Sequence, residues 1–178
     1  MEKLLEQTQD ILWILNLVVF WGVNALVTNS HQAVFAQKAR QNGAKIISID
    51  VEKNETAHFA DEFYHINPAS DGVLALGIAN IIINENLYDS EFIEDNAYGF
   101  ESFKELVKKY TPHIVCKQTG ISEKQLNKFS IEYANTHPSF IRIGNGLQHH
   151  LNGGFNTWAI GLLPALVGAW KFKIRWGN

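Results

Sequence analysis

The sequence predicts an α/β domain built on a mostly parallel sheet, and three observations carry that prediction. Short apolar runs alternate with helix-patterned segments between Leu15 and Asp71. Each run ends in small or polar residues: Gly22-Val23-Asn24, then Asp50, then Asn67-Pro68-Ala69-Ser70-Asp71. No repeat, low-complexity stretch or linker divides the 178 residues, a length that suits one domain with its own core. A chain that alternates strand and helix brings its strands up in the same direction, so their carboxyl ends share one edge.

The elements follow in order. Met1 to Leu12 predicts a short amphipathic helix, with Leu4, Leu5, Thr8, Ile11 and Leu12 on one side. Ile11 to Val23 is apolar but short, Asn16 interrupts it, and Glu2, Glu6 and Asp10 lie upstream. A secretion signal needs a basic start, and a membrane span needs about twenty apolar residues, so Leu15 to Trp21 reads as a buried strand. Gly22 turns the chain and permits close approach of backbone to a ligand. Thr28, Asn29 and Ser30 offer N-caps for a helix over His31 to Gln41, and Gly43 suits its C′ position. Lys45 to Ile49 is the second strand, ending in Asp50. Thr56 to Asp61 makes one or two helical turns, and Glu62 to Ile66 is the third strand.

Asp71 is placed to cap a well-buried helix over Gly72 to Asn84. Asp89 to Thr136 reads as helix after helix: Glu91 to Asn96, Phe100 to Tyr110, and one from Ser122 to Asn135. In the last of these, Ser122 and Gln125 make a capping box. Phe140 to Ile143 is the fourth strand, Gly144-Asn145-Gly146 turns off its end, and Asn156 to Val167 is a final helix containing Pro164. Trp158 and Trp170 read as core, and Cys116 as a small buried hydrophobe. The whole is a Rossmann-like, mostly parallel sheet flanked by helices, with a helical insertion between the third and fourth strands.

Composition narrows the function. A net charge of −3 gives no basic footprint, so no nucleic acid partner is expected. A single cysteine excludes an internal disulfide and any CxxC ligand pair. There is no GxGxxG after the first strand, no GxxxxGK[ST] loop and no nucleophile elbow. His149-His150 reads as structural hydrogen bonding rather than a metal site. Asp61, His58 and His65 read as surface or structural groups.

Five motifs, in order and spacing, resemble the molybdopterin oxidoreductases, the family of formate dehydrogenases, nitrate reductases and dimethyl sulfoxide reductases. Trp21-Gly22-Val23-Asn24 is similar to their tryptophan-glycine-x-asparagine loop. Ile49-Asp50 with Glu55-Thr56-Ala57 and Ala60-Asp61 follows their isoleucine-aspartate, threonine-alanine and alanine-aspartate series. Asn67-Pro68-Ala69-Ser70-Asp71 resembles their proline-glycine-threonine-aspartate loop. Leu87-Tyr88-Asp89 before Glu91-Phe92-Ile93 matches a recurrent helix joint. Gly144-x-Gly146-x-Gln148-His149-x-x-Asn152-Gly153 resembles their late glycine-glutamine-histidine loop.

The resemblance implies an internal domain, residues 1–170, that binds one molybdopterin guanine dinucleotide within a longer, formate dehydrogenase-like enzyme. Gly22 and Val23 would present backbone N–H groups to the diphosphate, and Asn24 an amide. Asp50 would accept from ribose hydroxyls, with the rival reading of a simple turn residue. Lys53 would screen phosphate, Thr56 belongs to the same matched series, and Pro68 forms the turn. Asp71 would accept from guanine N1–H and the exocyclic amine, capping and binding being compatible, and Ser70 would add a hydrogen bond. Gly144, Gly146, Gln148 and His149 would approach the pterin.

Val51-Glu52 stand where the family has proline and arginine, Ala69 replaces a glycine and Ser70 a threonine. The last two read as mild changes. The family's metal-ligating residue, its iron–sulfur domain and its carboxyl-terminal barrel have no counterpart in the 178 residues. Residues 171–178 form a basic-aromatic tail of the kind truncation or a frameshift leaves. The expectation is two-electron redox at molybdenum or tungsten in the parent and an inactive isolated chain. The partners expected are the missing domains and an electron-transfer subunit. The location expected is cytoplasmic, with periplasmic or membrane-associated complexes as alternatives. A stand-alone guanine-dinucleotide or pterin-binding module, or a non-functional remnant, are the competing readings.

Overall fold

The computed structural model describes residues 14–171. The helix expected over Met1 to Leu12 and the tail from residue 172 onward lie outside the described residues. Four strands, β1 (Leu17–Trp21), β2 (Lys45–Asp50), β3 (Glu62–His65) and β4 (Ser139–Ile143), form one sheet in the order β3-β2-β1-β4. Every pairing is parallel, with Phe20 opposite both Ser48 and Arg142, and Ile49 opposite Tyr64. All five residues of β1 are buried. A central strand covered on both faces has no solvent side, which is why its sequence is continuously apolar rather than alternating.

Nine α-helices surround the described sheet: α1 (Ala25–Thr28), α2 (Ser30–Gln41), α3 (Glu55–Phe59), α4 (Asp71–Asn84), α5 (Ser90–Asn96), α6 (Phe100–Val107), α7 (Pro112–Thr119), α8 (Glu123–Asn135) and α9 (Gly153–Leu166). Two 3-10 turns, Asn145–His149 and Ala169–Lys171, flank α9. One face of the sheet packs Leu17, Val19, Trp21, Ile47 and Ile49 against α4, α8 and α9. The other packs Val18, Phe20 and Ile46 against Ala36 and Ala39 of α2. Four of the helices start on side-chain caps. Asn29 accepts from Gln32 N, Asn54 from Ala57 N, Asp89 from Phe92 N, and Ser122 closes the capping box with Gln125. No described helix is long and apolar enough to cross a membrane.

Several expectations are corrected. Asp71 is not the cap of α4 but its first residue, with Ser70 in the cap position, because the Asp71 carboxylate is drawn instead to a side chain of β1. The third strand stops at His65, and α6 ends at Val107. The α9 helix begins three residues before Asn156, at Gly153. A side chain at Gly153 would lie 2.6 Å from the Gln148 Cα, so the glycine there serves close packing, not a turn. Trp158 and Trp170 are 46% and 63% exposed, and are not core. The inward stripe of α9 is taken by Ala159, Ile160, Leu163 and Leu166, which leaves Trp158 edge-on to Phe103 at the surface. Trp170 lies beyond that helix, edge-on to Phe92. Cys116 is half-buried rather than buried.

At the amino ends of the strands Lys45 Nζ reaches Glu62 Oε1 at 2.6 Å and Glu132 Oε1 at 2.5 Å. Lys128 also pairs with Glu62, and Tyr64 donates its hydroxyl proton to Glu62 Oε2 at 2.9 Å. Burial works against the charge of Glu62, but these donors overcome it and hold the carboxyl at about 2.

Candidate functional site

The connection after β1 leads to α2 on one face of the sheet, while the connection after β4 leads to α9 on the other. Between the carboxyl ends of β1 and β4 the order of strands therefore switches, the position at which sheets of this order form a ligand-binding crevice. Two glycine turns form its floor. Gly22, at φ +59°, donates its N–H to Ile49 O at 2.8 Å, and Gly144 donates to Trp21 O at 2.9 Å. A Cβ on Gly144 would stand 1.9 Å from the Gly22 carbonyl oxygen, whereas one on Gly146 would meet only that oxygen, at 3.7 Å. The turns are thus pressed together at Gly144, with open space over Gly146. Val23 is buried beside them.

Asn24 and Thr56 form a joint rather than a free donor pair. The Asn24 amide donates to Glu55 Oε2 at 2.6 Å and its oxygen accepts from Thr56 Oγ1 at 3.1 Å. That hydroxyl accepts from Leu26 N at 3.1 Å, and Thr56 is fully buried. These bonds tie the β1 loop to α3. Asp50 is similarly engaged: Oδ1 accepts from Val51 N at 2.7 Å and Oδ2 from Asn54 Nδ2 at 2.9 Å. Burial nonetheless pushes its carboxyl above the ordinary range. Lys53 and Pro68 are exposed, as are Gln148 and His149.

The loop after β3 is held on three sides. Asn67 donates its backbone N–H to Thr119 O at 2.8 Å and its amide to Gln118 O at 2.9 Å, which fastens it to α7. Ser70 Oγ donates back to Asn67 O at 2.6 Å. Ala69 sits at φ +63°, a left-handed conformation that costs an alanine about 1 kcal/mol, and Asn152 Nδ2 donates to its carbonyl at 2.8 Å. The replacement of glycine here is therefore strained, not mild.

Asp71 ends the loop with 5% exposure, and its Oδ1 accepts from Trp21 Nε1 at 2.9 Å. Burial raises its carboxyl above the usual range. The Trp21 donor opposes that shift, the charge of Asp50 adds to it, and His150 counters it. Next to it, Gly72 N donates to Asn156 Oδ1 at 3.0 Å. Asn156 is fully buried and also accepts from Asn152 Nδ2 at 3.2 Å, while its own Nδ2 has no partner among the described residues.

Read from sequence, Trp21 stands inside an apolar run with no polar role, and Asn156 has none either. The signal for Asn156 was present: an amide on an otherwise apolar helix, at a position that turns out buried, must find hydrogen bonds. A separate cleft lies elsewhere. It encloses about 350 Å3 between α5, α6 and α9, with Ile93, Phe103, Trp158 and Leu162 in its walls. That lining is apolar, whereas the carboxylates and glycine turns converge at the sheet edge.

Comparison with known proteins bears on the family of the domain. The family model for molybdopterin oxidoreductases matches residues 15–178. A probable oxidoreductase of Bacillus subtilis, YoaE, is 49% identical over 86% of the chain, which covers 23% of that protein. Formate dehydrogenase H of Escherichia coli is 32% identical over 86% of the chain, covering 21% of its length. The solved structure of acetylene hydratase from Pelobacter acetylenicus superposes with a TM-score of 0.82 at 30% identity. It matches 88% of this chain and 22% of its own. The chain thus spans less than a quarter of each of these relatives, and across that span it belongs to the molybdopterin oxidoreductase family.

Proposed function

We propose that this domain holds the guanosine diphosphate end of one molybdopterin guanine dinucleotide within a formate dehydrogenase-like oxidoreductase. The observation that carries the reading is Asp71: a nearly buried carboxylate in the first turn of α4, beside the crevice where the Gly22 and Gly144 turns meet. A guanine offers two adjacent N–H donors, and a carboxylate receives such a pair in a charge-assisted, two-bond geometry. Trp21 and the residue's own backbone N–H use two acceptor sites of Asp71, and a carboxylate has about four.

The donor set fits the rest of the group. The Gly22 and Gly144 N–H groups are committed to Ile49 O and Trp21 O and Leu147 packs over Gly22, so phosphate oxygens would meet the main chain that follows these turns, with Gly146 the more open position. Asp50, at the end of β2, stands where a ribose hydroxyl is bound in sheets of this order. Asn24 and Thr56 support this loop from below, and Ser70 shapes the Asp71 turn. When bound, the cofactor supplies two-electron redox chemistry at molybdenum or tungsten. On this reading the metal's protein ligand and any iron–sulfur cluster come from the remainder of the parent polypeptide, and the domain contributes binding and orientation.

Calorimetric titration of the 178-residue chain with GDP tests the reading, with ADP as the control. GDP is expected to bind, ADP to bind more weakly, and Asp71→Ala to abolish the difference. Equal binding of both nucleotides, or an Asp71→Ala variant that keeps the preference, rejects guanine recognition at this loop.

A further inference from the structure

We infer that Trp21 is a positioning residue for guanine recognition, acting through Asp71. This rests on the function proposed above. The indole N–H of Trp21 donates to Asp71 Oδ1 at 2.9 Å across the junction of β1 and α4. Trp21 has no exposed surface, and its backbone is paired on both sides, to Ile49 and to Ile143. Its ring therefore cannot turn without disturbing the sheet, and the direction of its N–H is fixed by the fold.

A carboxylate rotates about its terminal bond unless something holds its plane. Two parallel bonds from guanine require that plane to lie in the plane of the base. The charged or titratable groups that face Asp71 are Asp50, at the end of β2, and His150, in the loop before α9. Neither is bonded to Asp71, so both act through space and leave its plane free. Trp21 alone among these neighbours bonds an oxygen of Asp71, and together with the residue's own backbone N–H it sets which way the carboxylate faces. It also favours the ionised form, which is the form that accepts two hydrogen bonds from guanine. Burial and Asp50 push the other way.

The test is Trp21→Phe, which keeps an aromatic ring in the core and removes the donor. The Asp71 carboxyl is titrated by carbon NMR in the unliganded chain, and GDP affinity is measured across pH. The expected result is an upward move of the Asp71 titration, a GDP affinity reduced roughly tenfold to a hundredfold, and a pH profile of binding displaced upward with it. A folded Trp21→Phe protein whose Asp71 titration is unmoved overturns the inference, as does one that binds GDP like the parent chain. A role in packing alone would lower the melting temperature and leave the titration in place.

Should Trp21→Phe not fold, the parent chain carries the same test. The indole N–H resonance of Trp21, assigned by comparison with Asp71→Asn, is expected to titrate with Asp71 and to shift when GDP binds. An indole resonance indifferent to both overturns the inference. If Trp21 controls the Asp71 titration while the chain binds no GDP, the hold of Trp21 on Asp71 stands and the guanine reading falls.

Discussion

The amino and carboxyl ends of the same four strands are built on opposite rules. At the amino ends, Lys45, Glu62, Glu132 and Lys128 neutralise one another, and Tyr64 adds a further donor. At the carboxyl ends, Asp50 and Asp71 have no ion-pair partner among the described residues, and burial raises both. The buried Nδ2 of Asn156 lies in the same region without an acceptor among the described residues, and Ala69 holds a strained backbone. Groups left costly in a folded protein mark candidate binding sites. On the function proposed above, one edge of this sheet stabilises the domain and the other receives the cofactor.

That contrast can be broken or sharpened by substitution, beginning with the largest effect. Gly144→Ala puts a methyl group against the Gly22 carbonyl, where main chain rather than a flexible side chain must yield. A loss of about 3 kcal/mol is expected in denaturant unfolding, with the crevice disrupted. Asn156→Ala leaves Gly72 N–H without its acceptor in the core and should cost about 2 kcal/mol, read the same way. Lys45→Met tests the amino edge, where water still reaches the carboxylates, so the loss should be at most about 1 kcal/mol and should shrink in high salt. Ala69→Gly should raise stability by about 0.5 kcal/mol, the relief at positive φ being partly offset by a more flexible unfolded chain.

The two edges should also respond oppositely to pH. Glu62 has a folded value depressed to about 2. Its contribution is present above its unfolded value near 4.5 and is lost as pH falls through about 2. Asp50 and Asp71 are raised. The folded state binds their protons more tightly, so their contribution is present below the unfolded value and disappears as pH rises through their folded values. Glu62→Gln should therefore flatten the acid limb of a stability profile, and Asp71→Asn the decline above it. A single profile unaffected by either substitution contradicts the division between the edges.

The sheet was legible in the sequence because its strands are short apolar runs punctuated by Gly22, Asp50 and Gly144, and each mark fell at a strand end. The capping box at Ser122 was legible because its two residues lie three apart in sequence. What was not legible depended on contacts between distant segments. Asp71 looked like a cap until Trp21, fifty residues earlier, claimed its carboxylate. Asn24 and Thr56 looked like ligand donors, yet each finds its partner in the other. Trp158 and Trp170 looked like core because size and apolarity do not reveal which side of a helix faces inward. The single turn of α1 is too short to show a period at all.

The contact between Gly22 and Gly144 has a consequence for how the domain comes into being. These turns belong to adjacent strands, but nearly the whole helical insertion is made between them, and Leu17 finds its second partner, after Lys45, only at Ser139. Pairings between such distant segments form slowly, after local helices are in place. The crevice cannot exist until β4 docks beside β1, so a molecule bound there would bind only chains that have completed the sheet. By mass action it would draw the population toward that state. Ligand capture would then act as a checkpoint on assembly, reporting that the first and last strands have met.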